Sequence, residues 1–296
     1  MREEVLQVIR TRIQRPEAVA EAAAARRRPA GPVGDDGRVM VIAADHGARG
    51  SLGVTGRPLA MADRTDLLER LVTALARPGV TGVLGTPDVV EDLLLLGALD
   101  DKAVFGSMNR GGLSGAAWEI DDRFTAYDAP SIEAMGYEGG KMLVRLDPDD
   151  ARTAGTVEAC ALAVTALAKR RLLAMVEPFM ARTEDGRVRA ILTTEAATRA
   201  SVIAAALGAT SEYTWLKIPV VEDMERVIGA TTLPTVLLGG EVSDDQDATF
   251  ARWQRALEVP GAIGLVVGRS LLYPPGDDVA AAVDAAVALL PRAVPA

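Results

Sequence analysis

The chain has 296 residues, 49% of them hydrophobic, and carries a formal net charge of −9. That is enough apolar material for one large domain or two small ones, and the acidic balance argues against nucleic acid as the main partner. A single cysteine excludes an intrachain disulfide framework, and a single histidine argues against a histidine-clustered metal centre.

The chain opens with "MREEVLQVIRTR", charged from its second residue and unlike a signal peptide, and no apolar run approaches the length of a membrane span. A cytoplasmic chain without a membrane partner is expected. An N-terminal helix is expected over roughly 2–28, in a segment (1–30) set apart from a single domain over 38–291. The "RRR" at 26–28, stopped by Pro29, reads as a helix C-terminus favoured by the helix dipole.

Eight short apolar runs follow: 38–47, 79–87, 102–109, 140–148, 171–179, 213–220, 235–242 and 263–272. Amphipathic helical patterns lie between most of them, such as "MADRTDLLERLVTALARPG", "TVEACALAVTALAK" with Cys160 on its core face, "EAATRASVIAAALGA" and "ATFARWQRALEVPG"; "DDVAAAVDAAVALLPR" closes the chain. Eight such units predict an α/β fold, the (β/α)8 TIM barrel. A doubly wound sheet would want GxGxxG after the first strand, and "ADHGARGSLG" lacks that spacing. The segment 110–136 is long and mixed; in a barrel it follows the third strand at the face where active sites form.

Strand alternation then places side chains. In "KMLVRLD", Met142, Val144 and Leu146 form the apolar face, so Lys141 and Arg145 point inward. Glu177 falls near the end of the fifth run. Lys217 shares a face with Tyr213 and Trp215, and Asp45 one with Val41 and Ala43. Two carboxylates and three cations converge. An internal salt-bridge layer would explain charges in general, but not a lysine at 217 in a chain with four lysines and 28 arginines. Lysine loses its proton and attacks carbonyls, whereas arginine does not; a desolvated lysine beside another cation becomes a nucleophile. A Schiff base at Lys217 would be the electron sink for carbon–carbon cleavage or formation, with Asp45 or Glu177 moving protons. The last two runs end in Gly239, Gly240 and Gly268, followed by Arg269, a pattern suited to cradling phosphate after barrel strands seven and eight.

These residues resemble the class I aldolases that include deoxyribose-phosphate, archaeal-type fructose-bisphosphate and tagatose-bisphosphate aldolases. "VIAADHG" is similar to the first-strand motif of that group, "GGKMLVRLDPD" and "MVEPF" to the fourth and fifth strands of its tagatose-bisphosphate branch, and "WLKIPV" to the Schiff-base strand. "LLGGEV" and "VVGRSLLY" are similar to its phosphate-binding ends. The resemblance implies Lys217 as the Schiff-base lysine, with Lys141 and Glu177 carried over and no cofactor or metal. More narrowly, "GLSGAAWEIDDRFTAYD" resembles an actinobacterial branch associated with inositol catabolism, which implies 5-keto-2-deoxygluconate 6-phosphate as substrate. The chain departs from the tagatose branch in having His46 where that branch has glutamine. No tyrosine is placed as the proton donor of the archaeal branch, which leaves Glu177 and Asp45 as acid/base candidates. His46 would be catalytic, orient Asp45 or cap a strand end. A phosphosugar isomerase or epimerase without a covalent intermediate, and a non-catalytic sugar-phosphate-binding barrel, stay as alternatives. The expected partner is a phosphorylated sugar or keto acid. Homo-oligomer formation through the N-terminal helix is compatible with the sequence.

Overall fold

The computed structural model describes residues 1–34, 37–54, 56–240 and 245–290. Two sequence-stretch ends, Glu241–Val242 of the seventh run and residue 291 at the domain's expected limit, lie outside them. Eight parallel strands close into a barrel: β1 (Val39–Ala43), β2 (Gly82–Gly85), β3 (Ala103–Ser107), β4 (Gly139–Leu146), β5 (Leu173–Glu184), β7 (Thr214–Ile218), β8 (Thr235–Leu238) and β9 (Ala262–Val267). Neighbours pair in that order, β4 pairs with β5, and β9 returns to β1, so the barrel has no free edge. This is the TIM barrel. The ninth strand, β6 (Arg187–Ala190), pairs antiparallel with the far end of β5. It was not among the eight expected runs. Asp185 and Gly186 turn that hairpin with φ of 48° and 73°, the conformation that makes Asp-Gly a hairpin signal.

The helices are α1 (Arg2–Gln14), α2 (Ala18–Ala25), α3 (Arg64–Leu75), α4 (Pro87–Leu95), α5 (Ala129–Ala134), α6 (Arg152–Ala168), α7 (Thr194–Ala205), α8 (Met224–Ile228), α9 (Gln246–Leu257), α10 (Arg269–Leu272) and α11 (Val279–Ala288). Several begin where a side chain accepts from the first-turn N–H groups: Asp63, Asp128, Thr193, Asp223, Asp245 and Asp278. The five aspartates among them also face the positive ends of the helix dipoles. Among the described residues no helix is long and apolar enough to cross a membrane.

Period-two alternation divides the core into two layers. Met40, Ile42, Val104, Met142, Val144, Leu216 and Leu237 face outward and pack beneath the helices. Val39, Val41, Leu84, Phe105, Met175, Trp215, Val236 and Val266 face inward and fill the lower barrel, with Phe105 and Trp215 in ring contact at 6.1 Å. The plug is apolar, so polar inward positions are left only toward the C-terminal ends of the strands.

The helix expected over 2–28 is two helices. The break falls at Arg15–Pro16, because proline supplies no N–H and its ring clashes with the preceding turn. The arginine run is also corrected. Arg26 has left the helix and is buried. It donates to the carbonyls of Lys102 (2.6 Å) and Gly136 (2.7 Å) and pairs with Glu138 at 3.1 Å. Lys102 and Glu138 directly precede β3 and β4, so the arginine run clamps the N-terminal arm to the bottom of the barrel. Helix-dipole compensation is not its main role.

Candidate active site

Above the apolar plug the strand ends bring together a buried layer of charge. Lys217 projects inward from β7 two residues above Trp215, as period two requires. Its Nζ donates to Glu177 Oε1 of β5 at 2.7 Å. The other oxygen of Glu177 pairs with Lys141 Nζ of β4. Lys141 Nζ also donates to Asp45 Oδ2, just past β1, at 3.2 Å. Asp45 in turn accepts from Ser107 Oγ of β3 at 2.9 Å and pairs with Arg110 Nη1 at 3.0 Å. The result is one connected chain, Lys217–Glu177–Lys141–Asp45–Arg110, all of it buried.

The protonation states follow from this geometry. Burial pushes the Glu177 carboxyl up, but Lys141 and Lys217 outweigh it and bring the group down to about 2. Burial acts the same way on Asp45, and Arg110 and Lys141 hold it well below the usual carboxylate range. Burial is the leading influence on Lys141, which is lowered to about 8 although Asp45 and Glu177 pull the other way. An amine that titrates near neutral pH is suited to exchanging protons with a substrate.

His46 follows Asp45. Its imidazole is lowered to about 3 by burial, with Arg269, Lys217 and Lys141 opposing the favourable Asp45, so it is neutral at pH 7. Among the described residues its buried Nδ1 has no hydrogen-bond partner. The ring packs against Gly268, where an added Cβ would sit 2.6 Å from His46 Cε1 and 2.3 Å from the Ala43 carbonyl oxygen, so only glycine fits. Gly239 approaches Ser270 and Val267 as closely, and Gly240 has φ +71°. The ends of β8 and β9 therefore lie against each other and against His46. Arg269 reaches the Gly53 carbonyl at 3.4 Å, and among the described residues its buried Nε has no hydrogen-bond partner.

Arg145 is the expected site residue that the structure takes elsewhere. It points inward as alternation requires, but two residue pairs above Lys141. There its guanidinium pairs with Glu119 and donates to the Glu119 carbonyl at 2.8 Å. Arg49 works beside it, pairing with Asp122 and donating to the carbonyls of Asn109 (3.0 Å) and Gly112 (2.9 Å). These contacts fold the segment after β3 down over the barrel. The second cation at the cluster is Lys141, with Arg110 as the third.

Arg110 and Ser107 were missed. The rule that selected Asp45, a polar residue at a strand's C-terminal end, also reaches Ser107 in "GSMNRGG", whereas Arg110 lies three residues beyond the end of β3. A groove of about 580 Å³ between α5 and α6, lined by Phe124, Leu162 and Ala163, lies outside the barrel and contains none of the cluster. The site is thus located by its chemistry and not by cavity size.

The crystal structure of Cgl0159 from Corynebacterium glutamicum is 52% identical to this chain, with TM-score 0.95 over 98% of this chain and 97% of that one. A Schiff-base-forming fructose-1,6-bisphosphate aldolase is 18% identical, with TM-score 0.67 over 92% and 99%. An archaeal fructose 1,6-bisphosphate aldolase is also 18% identical, with TM-score 0.68 over 92% and 98%. At that identity the last two share the fold. No curated protein matches the chain at a significant level. The Cgl0159-like family matches residues 37–287, which take in every barrel strand and every residue of the buried cluster, and the chain belongs to that family.

Proposed function

We propose that the protein is a class I aldolase that cleaves or forms a carbon–carbon bond through a Schiff base on Lys217. The observation that carries this is the Lys217 amine, buried at the barrel's C-terminal end and held at 2.7 Å by a carboxylate that also holds a second lysine. An internal salt bridge needs only a cation; the amine is what carbonyl chemistry needs. The fold shared with a Schiff-base-forming aldolase supports the same reading.

In this reading the Lys217 amine adds to the keto carbon of the substrate. The carbinolamine hydroxyl takes a proton from the Glu177–Lys141 pair and leaves as water, giving the iminium. In the cleavage direction a base takes the proton of the hydroxyl β to the iminium, and the carbon–carbon bonding pair moves onto nitrogen. The aldehyde departs, and the enamine is protonated at carbon and hydrolysed to return Lys217. Asp45, ionised and fixed by Ser107 and Arg110, is the candidate for the hydroxyl proton. Gly239, Gly240, Gly268 and Arg269 would take the substrate phosphate at the β8–β9 side. The substrate is a phosphorylated keto sugar or keto acid. The resemblance of residues 112–128 to an inositol-catabolism branch favours 5-keto-2-deoxygluconate 6-phosphate, split to dihydroxyacetone phosphate and malonate semialdehyde.

Borohydride reduction in the presence of dihydroxyacetone phosphate tests the reading. The expected result is a stable adduct mapped by mass spectrometry to Lys217, absent in Lys217→Arg together with turnover, a loss of at least about a thousandfold. Turnover of a ketose phosphate without an adduct, retained in Lys217→Arg, would sink the Schiff base and leave an isomerase or epimerase. Binding without turnover would leave a non-catalytic barrel.

A further inference from the structure

Charge counting in the buried cluster points to a task for Arg110. The five linked groups are two carboxylates, Asp45 and Glu177, and three bases, Arg110, Lys141 and Lys217. With every base protonated the cluster holds one surplus positive charge where all five side chains are buried. Uncompensated buried charge is costly, and with no anion bound the cluster relieves it by releasing a proton. A guanidinium keeps its proton at any physiological pH, whereas an amine releases one.

Among the described residues the surroundings do not cancel the surplus. From the β1 side come Asp45, neutral His46 and Arg49. The segment after β3 brings Arg110, Glu119 and Asp122, and β4 brings Lys141 and Arg145. Arg49 and Arg145 are matched by Asp122 and Glu119. Glu177 comes from β5, Lys217 from β7, and Arg269 adds a further cation past β9. The lower barrel beneath is apolar.

Arg110 is also held rigidly. Its Nη1 meets both Asp45 Oδ2 (3.0 Å) and the Asp45 carbonyl (3.1 Å), and its Nε donates to the Asn109 carbonyl at 2.7 Å. Lys141 sits on the same Asp45 oxygen at 3.2 Å. Two cations therefore share one carboxylate oxygen, and only one of them is able to deprotonate.

We propose that Arg110 is a positioning residue: fixed against Asp45, it supplies the permanent positive charge that makes the Lys141–Lys217 pair release one proton, so that a free amine is present near neutral pH. The inference rests on the Schiff-base reading for its purpose, but its physical content is testable without substrate. The lowered Lys141 amine, to which Arg110 contributes after burial, agrees with it.

The test is a pH titration of protein labelled with ¹³C at lysine Cε, where the four lysines of the chain give four resolvable signals. Lys141→Met and Lys217→Met assign the two cluster signals. In the wild type the Lys141 signal is expected to show a transition near pH 8. In Arg110→Met that transition is expected to rise by about one pH unit or more. The rate of Lys217 trapping by borohydride at pH 7 then falls about tenfold and recovers as the pH is raised. Arg110→Lys, which keeps a cation, should restore the wild-type trapping profile in part. A folded Arg110→Met with the wild-type titration would overturn the proposal. If Arg110→Met does not fold, Asp45→Asn serves in its place: loss of a carboxylate should lower the amine transition, and an unmoved transition counts against charge balance. Absence of any Lys217 adduct in the wild type would instead count against the aldolase reading and leave the titration result standing.

Discussion

His46 shows how burial decides a residue's chemistry. Lowered to about 3, its imidazole stays neutral across the physiological range, so it cannot be the group behind an acid limb between pH 5 and 7. His46→Gln is expected to leave the shape of the pH–activity profile unchanged, with any loss appearing as altered substrate affinity; steady-state kinetics from pH 5 to 9 check this. A second expectation follows from the carboxylates. Glu177, at about 2, and Asp45, also lowered, have folded values below their unfolded ones. Their stabilisation is complete above about pH 4.5 and is lost as the pH falls toward 2. Thermal unfolding midpoints should decline over that window by an amount equivalent to a few kcal/mol or so. Lys141 acts in the opposite sense: its burial costs stability below about pH 8, and the cost is relieved as the pH rises from there toward 10.4.

The element that most shapes the site is the segment between β3 and α5. It lacks regular structure, yet Glu119, Asp122 and Arg110 are buried within it. Its order comes from the barrel: Arg145 of β4 and Arg49 past β1 hold its carboxylates, and Thr156 of α6 accepts from the Asp122 amide at 3.2 Å. Removing one partner of a buried pair leaves an uncompensated charge. Arg145→Ala should therefore cost about 3 kcal/mol or more. Hydrogen exchange should show protection lost over 110–123 first, with slower trapping at Lys217 as Arg110 loses its fixed position. Wild-type exchange in that segment would contradict this account.

For the whole molecule, the barrel has no edge, so the N-terminal arm adds to the fold by docking, not by pairing. Its attachment combines Val5 and Ala23, buried in the outer core, with polar contacts: Arg26 to Glu138, Arg27 to Asp101 at 2.6 Å, and Arg12 to Asp92 at 2.8 Å. Only the Arg26 pair is fully buried, so it should dominate; exposed pairs such as Arg27–Asp101 contribute roughly 1 kcal/mol or less. Arg26→Ala is expected to destabilise by about 3 kcal/mol and to expose the arm to proteolysis, while Arg27→Ala has little effect. Thermal unfolding and limited proteolysis of both variants check the contrast. The exposed Leu6, Ile9 and Ile13 of α1 leave this arm with an apolar outer stripe.

The sequence alone determined the repeating strand–helix order, because period two and period 3.6 are local properties of the chain. It also determined which face of each strand turns inward, and so Asp45, Lys141, Glu177 and Lys217. Alternation decides direction without knowing what lies opposite. It missed β6 despite the Asp-Gly turn, because the hairpin continues a strand already counted. Only the tertiary structure decided height and partner. Arg145 shares a face with Lys141 but lies too far up β4 to join it, and the segment above β3 offers the carboxylates that claim it. Arg26 looked like a helix end because its partner Glu138 is 112 residues away. Arg110 sits at no strand-face position that periodicity marks, and its role exists only because closure of the barrel brings β1, β3 and β4 to one oxygen of Asp45. Local patterns fix orientation, while charge balance depends on contacts between distant segments and is set only when the barrel closes.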